Sequence, residues 1–102
     1  MARNLYVVIV RWVKTPQTTQ NIERIDAVLT THGDWLRFSG SNWLLDTDSS
    51  ANQVFQSLAS VLHRDDSELI VRAAPHDYSG WSAKWVDDWV RGKQNQQAKR
   101  NQ

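Results

Sequence analysis

The hydrophobic pattern changes period several times along the chain, and each change marks an element. Residues 5–13, LYVVIVRWV, are near-continuously apolar and rich in β-branched and aromatic types. They predict a central strand covered on at least one face. After a polar loop containing Pro16, the residues Ile22, Ile25, Val28 and Leu29 recur at helical spacing. A helix over roughly 20–32 follows, capped by Asn21 or a nearby threonine and ended by Gly33. The segments DWLRF and NWLLDT flank Ser39-Gly40-Ser41 and predict a β-hairpin. Trp35 and Arg37 then share one face with Leu36 and Phe38 on the other, while Trp43 and Leu45 oppose Leu44. Asp48, Ser49 and Ser50 offer N-caps for a second helix carrying Val54, Phe55, Leu58, Val61 and Leu62. It ends near the polar run His63 to Ser67. ELIVRAA, residues 68–74, reads as the last strand, stopped by Pro75, and a short helix follows from about Trp81 to Arg91.

The order β-α-β-β-α-β predicts an α+β chain of the ferredoxin-like type, a two-layer sandwich with both helices on one face of an antiparallel sheet. The extra C-terminal helix is additional to it. At 102 residues the chain has room for one such domain, expected over residues 1–91. The apolar run Leu5–Val10 is six residues long, too short for a membrane span, and no cleavage-site pattern follows it. A cytoplasmic location is expected. There are no cysteines, which removes disulfides, thiolate nucleophiles and cysteine-based zinc sites.

The net charge of +1 hides an asymmetry. Residues 1–90 carry eight positive side chains against eleven acids, giving −3, and residues 91–102 carry four positive and no acids, giving +4. The segment 92–102, GKQNQQAKRNQ, has Ala98 as its sole hydrophobic residue and is expected to be a disordered basic tail. Lys93, Lys99 and Arg100 are its candidate phosphate contacts.

Six tryptophans are the compositional oddity. Trp81, Trp85 and Trp89 stand at i, i+4, i+8, a stripe suited to a core, a partner subunit or stacked bases. Trp35 and Trp43 flank the hairpin and suit a cross-strand or interface pair. His32, His63 and His76 lie on different elements with no metal-ligand spacing. Asp46 with Asp48, Asp65 with Asp66 and Asp87 with Asp88 form small acidic groups for which solvated faces are the default, and Asp87 and Asp88, neighbours on a helix, diverge by about 100° and so do not easily hold one ion. No phosphate loop, nucleophile elbow or HExxH motif is present. No catalytic group, metal site or cofactor is expected.

The strand LYVVIV, the hairpin GDWLRFSGSNWLLDT, the helix after Ser49 and the ending DDSELIVRAA…WSAKWVDDWV together resemble the SinR-family proteins over residues 5 to about 90. These small bacterial proteins belong to the superfamily of the second CRISPR-associated adaptation protein and the VapD toxins. The resemblance implies a ferredoxin-like fold and a symmetric homodimer packed through the sheets. It also raises metal-dependent nuclease activity, tied to an aspartate at the end of the first strand, a place where this chain has Arg11. The resulting expectation is a non-catalytic, homodimeric, Cas-two-like module associated with nucleic acid or another protein subunit in a bacterial system such as defence. Arg11, Lys14, Lys93, Lys99 and Arg100 are its candidate nucleic-acid contacts. Trp35, Trp43, Trp81 and Trp85 are its candidate interface residues. The alternative is a metal-dependent endonuclease or toxin.

Overall fold

A computed structural model describes residues 4–73 and 88–93. Its elements run β1 (Asn4–Arg11), α1 (Thr19–Thr30), β2 (Gly33–Ser39), β3 (Asn42–Thr47), α2 (Ala51–Ala59) and β4 (Ser67–Arg72). The four strands form one antiparallel sheet in the order β2-β3-β1-β4. β1 and β2 therefore run parallel with β3 between them, and β3 and β4 run parallel with β1 between them. Among the described residues no helix is long and apolar enough to cross a membrane.

Local chemistry fixes the helix ends. Thr18 caps α1 through its side chain, which accepts the Asn21 N–H. Ser50 caps α2 in a reciprocal capping box with Gln53, so two otherwise orphaned N–H groups are satisfied together. Gly33 opens β2 instead of closing α1, and Thr31 takes the C-cap in a right-handed conformation. α2 is shorter than its apolar stripe suggests: Val61 and Leu62 lie in the turn beyond Ala59 and still pack against the core. The hairpin closes through Gly40 and Ser41, with a register irregularity between Arg37 and Ser39. A Cβ on Gly40 would stand 2.5 Å from Gln17 Nε2 and 3.2 Å from Ile22 Cδ1, so the turn nests closely against the β1–α1 loop. The Trp12 indole N–H anchors that contact on the Gly40 carbonyl at 2.9 Å.

Strand alternation gives the sheet two different faces. Val8 and Val10 of β1 and Trp43 and Leu45 of β3 meet Ile25 and Leu29 of α1 and Val54 and Leu58 of α2 in one core. Both helices thus cover the same face. Trp43 is the largest side chain fully enclosed there, and its indole N–H donates to Asp26 Oδ1 at 2.8 Å. The other oxygen of Asp26 accepts from Arg37 at 2.7 Å. One turn further along α1, Thr30 Oγ1 accepts the Trp35 indole N–H at 2.8 Å. Two positions on one helix therefore satisfy both tryptophans of the hairpin.

The opposite face carries Leu5, Val7, Ile9 and Arg11 of β1 beside Leu44 and Asp46 of β3, Asp34 and Leu36 of β2, and Leu69 and Val71 of β4. One end of it is closed. Residues 88–93 are helical, Val90 is buried, and Lys93 Nζ lies 2.7 Å from Asp34 and 3.4 Å from Asp46. Leu5, Leu36 and Asp46 are buried at this end.

Removing the acceptor of a buried indole should be costly. Asp26→Ala is expected to lower the unfolding free energy by about 2–3 kcal/mol in urea denaturation, because it strands the Trp43 N–H. Asp26→Asn keeps an acceptor and should cost about 1 kcal/mol.

Candidate functional site

The end of β1 and the turn before β4 bring together the most unusual polar chemistry in the described chain. Arg11 is the last residue of β1, exposed on the uncovered face and in register with Ser67. Beyond it the backbone turns so that three successive N–H groups point at one carboxylate. Asp66 Oδ1 accepts from Val13 at 2.8 Å, Lys14 at 2.7 Å and Thr15 at 3.1 Å. Its Oδ2 accepts the His63 N–H at 2.9 Å and the Thr15 hydroxyl. Desolvation pushes this carboxyl up. The hydrogen bonds from the Thr15 side chain and from the Lys14, Val13 and Thr15 backbone outweigh it and hold Asp66 well below the usual carboxylate range. Asp66 thus staples the β1–α1 loop to the α2–β4 turn, and Lys14 extends from that stapled loop into solvent.

Glu68 is the opposite case. It pairs with Val10 across the ladder and so belongs to the helix-covered face. Both of its carboxylate oxygens are out of contact with solvent and have no hydrogen-bond partner among the described residues. Burial alone pushes its pKa up to about 7. The side chain lines a cavity of about 490 Å³ between α2 and β4, with Phe55, Ala59 and Leu62 as apolar walls and His63, Arg64, Asp66 and Ser67 beside it.

A third cluster joins the ends of the two helices. His32 Nδ1 lies 2.9 Å from Ser49 Oγ and Nε2 lies 2.8 Å from Ser57 Oγ. The Ser57 hydroxyl also contacts the Gln53 carbonyl at 3.1 Å, and Thr47 donates to the His32 carbonyl at 2.7 Å. Every polar group here is engaged with its neighbours, so the cluster acts as a clamp between α1, β3 and α2.

Other residues singled out in the sequence are placed differently from expectation. Trp43 is fully enclosed in the core, and its indole is spent on Asp26, so it is no interface residue. Trp35 is half-buried on the helix-covered face beside α1, diagonal to Trp43: its register partner is Leu45, and Trp43 pairs with Arg37. Lys93 is 12% exposed, clasped by Asp34 and Asp46 and 5.1 Å over the Trp89 ring, which engages it away from any phosphate. Gly92 and Lys93 continue the helix past the boundary expected at residue 91. Trp81, Trp85, His76, Lys99 and Arg100 lie outside the described residues. Among the described residues no three histidine, aspartate or glutamate side chains converge to hold a metal ion.

Asp66 sits in the polar run His63 to Ser67, whose acids read as solvated, and Glu68 opens the strand ELIVRAA without being singled out. The available signal is the period of two: Glu68 precedes Ile70 by two residues and must share its inward face. No family model matches this chain, and no curated protein is significantly similar to it.

The two carboxyls should leave opposite marks on the pH dependence of stability. Glu68 ionises in the unfolded chain near its ordinary 4.5 and in the native protein near 7, so its contribution is present at low pH and is lost as pH rises between them. Glu68→Gln should therefore be more stable than wild type at pH 8, by about 1 kcal/mol once partial solvent screening is allowed for, with the gap closing by pH 4 in thermal melts. The contribution of Asp66 is present above its ordinary 3.8 and is lost as pH falls below it. Asp66→Asn should be the less stable protein at pH 7 and should lose less than wild type when titrated into acid.

Proposed function

We propose that the chain is a non-catalytic, homodimeric module of the Cas-two-like class, with a ferredoxin-like fold, that pairs sheet to sheet and presents Arg11 and Lys14 to nucleic acid or to another protein subunit. Support for the fold is the element order together with the strand order β2-β3-β1-β4, in which each βαβ unit is split by a strand of the other. The observation that carries the dimer is the uncovered half of the sheet. Ile9 pairs with Leu69, and Val7 lies between Val71 and Leu44, making a contiguous apolar patch on three adjacent strands. Leu69 is 58% exposed and Val71 46%, with Phe38 at 57% on the hairpin. Such a patch is costly in water and is relieved when a second copy covers it about a two-fold axis.

Arg11 follows Ile9 on the same face and would stand at the rim of that interface in each copy. It makes no ion pair among the described residues and is free to meet a phosphate. Support for a non-catalytic role is chemical. A cation at the end of β1 repels the divalent ion that phosphodiester hydrolysis would need there, and Asp46 is clasped by Lys93 at the opposite end of the sheet.

Light scattering at micromolar concentration should give about twice the monomer mass of 11.8 kDa. Leu69→Glu should yield a folded monomer, and a monomer mass for the wild type would overturn the dimer. Arg11→Ala should weaken binding of a short duplex and flatten its salt dependence by about one phosphate contact. Metal-stimulated cleavage of that duplex by the wild type would replace this reading with that of an endonuclease.

A further inference from the structure

The cavity between α2 and β4 lies on the helix side of the sheet, away from the apolar patch, and is walled in part by Glu68, whose carboxylate has no hydrogen-bond partner among the described residues. We propose that this cavity binds a small organic cation, an ammonium group on an alkyl or arylalkyl body, with Glu68 as its counter-charge. Both Glu68 oxygens lack a donor among the described residues, an uncommon situation for a buried polar group and one that a bound N–H donor would relieve. The terminal torsion of a glutamate is soft, so its carboxylate turns into the lumen when a donor arrives. Phe55, Ala59 and Leu62 supply apolar contact for the body of the ligand, and about 490 Å³ is ample for it.

Charge selects the sign of the guest. Asp66 contributes a second carboxylate to the lining, already saturated by its own donors and fixed in the ionised form. His63 and Arg64 reach the cavity from the same turn, both exposed and solvated. The α2 and β1 residues beside Glu68, namely Phe55, Ala59 and Val10, bring no charge. An anion would meet two carboxylates against the one solvated guanidinium of Arg64, whereas a cation neutralises the carboxylate that burial has left unpaired.

The test is a titration of the full-length protein with phenethylammonium, followed by amide chemical shifts, with phenylacetate and 2-phenylethanol as anionic and neutral counterparts. Saturable shifts are expected at Ala59, Leu62, Ser67 and Glu68. Affinity should rise about tenfold from pH 6 to pH 8 as the carboxyl ionises. Glu68→Gln, whose spectrum reports its own folding, should bind at least tenfold more weakly and lose the pH dependence. The proposal is overturned if no saturable shift occurs, if phenylacetate binds equally well, if Glu68→Gln binds like wild type, or if the pH dependence survives in Glu68→Gln and so belongs to His63. None of these outcomes bears on the dimer, whose test is mass.

Discussion

An indole that is fully enclosed must still place its N–H, and that requirement ties the layers of this protein together. Trp43 fills the centre of the core from β3, and the acceptor for its N–H comes from α1, in the form of Asp26. The same carboxylate reaches Arg37 on β2, so one side chain sets the height and rotation of α1 over two strands. Thr30 repeats the arrangement for Trp35. Apolar packing by Ile25 and Leu29 supplies adhesion without direction. The two indole hydrogen bonds supply direction.

The sheet then separates two kinds of surface. Among the described residues its helix-covered side is satisfied by caps, by the His32 clamp and by the Asp66 staple, and Glu68 is the place where satisfaction fails. Its other side is half closed by the helical residues 88–93 and half open. The protein's charged groups follow that division. Lys93 bridges Asp34 and Asp46 at the closed end, and Arg11 stands unpaired among the described residues at the open end.

Much of the fold was legible because it rests on periodicity. Alternation in DWLRF and NWLLDT assigns the hairpin faces correctly, and the stripe Ile22, Ile25, Val28, Leu29 marks α1. The ends were less legible, since Gly33 could close a helix or open a strand and only the pairing with Thr47 decides. The site was hardly legible at all. Asp65, Asp66 and Glu68 are equally acidic in the sequence, yet one is solvated, one accepts from five donors and one from none. That difference arises from where a loop 51 residues away places its N–H groups, which no local pattern encodes.

The central position of β1 also has a consequence in time. Its partners are β3 and β4, and the pairing Tyr6↔Arg72 joins residues 66 positions apart. During synthesis on the ribosome the first strand to emerge is thus the one that is finished last. Until residue 72 clears the exit tunnel, one long edge of a Val- and Ile-rich strand has no native neighbour and is open to strands of other nascent chains. Such a chain depends on its closing strand arriving promptly.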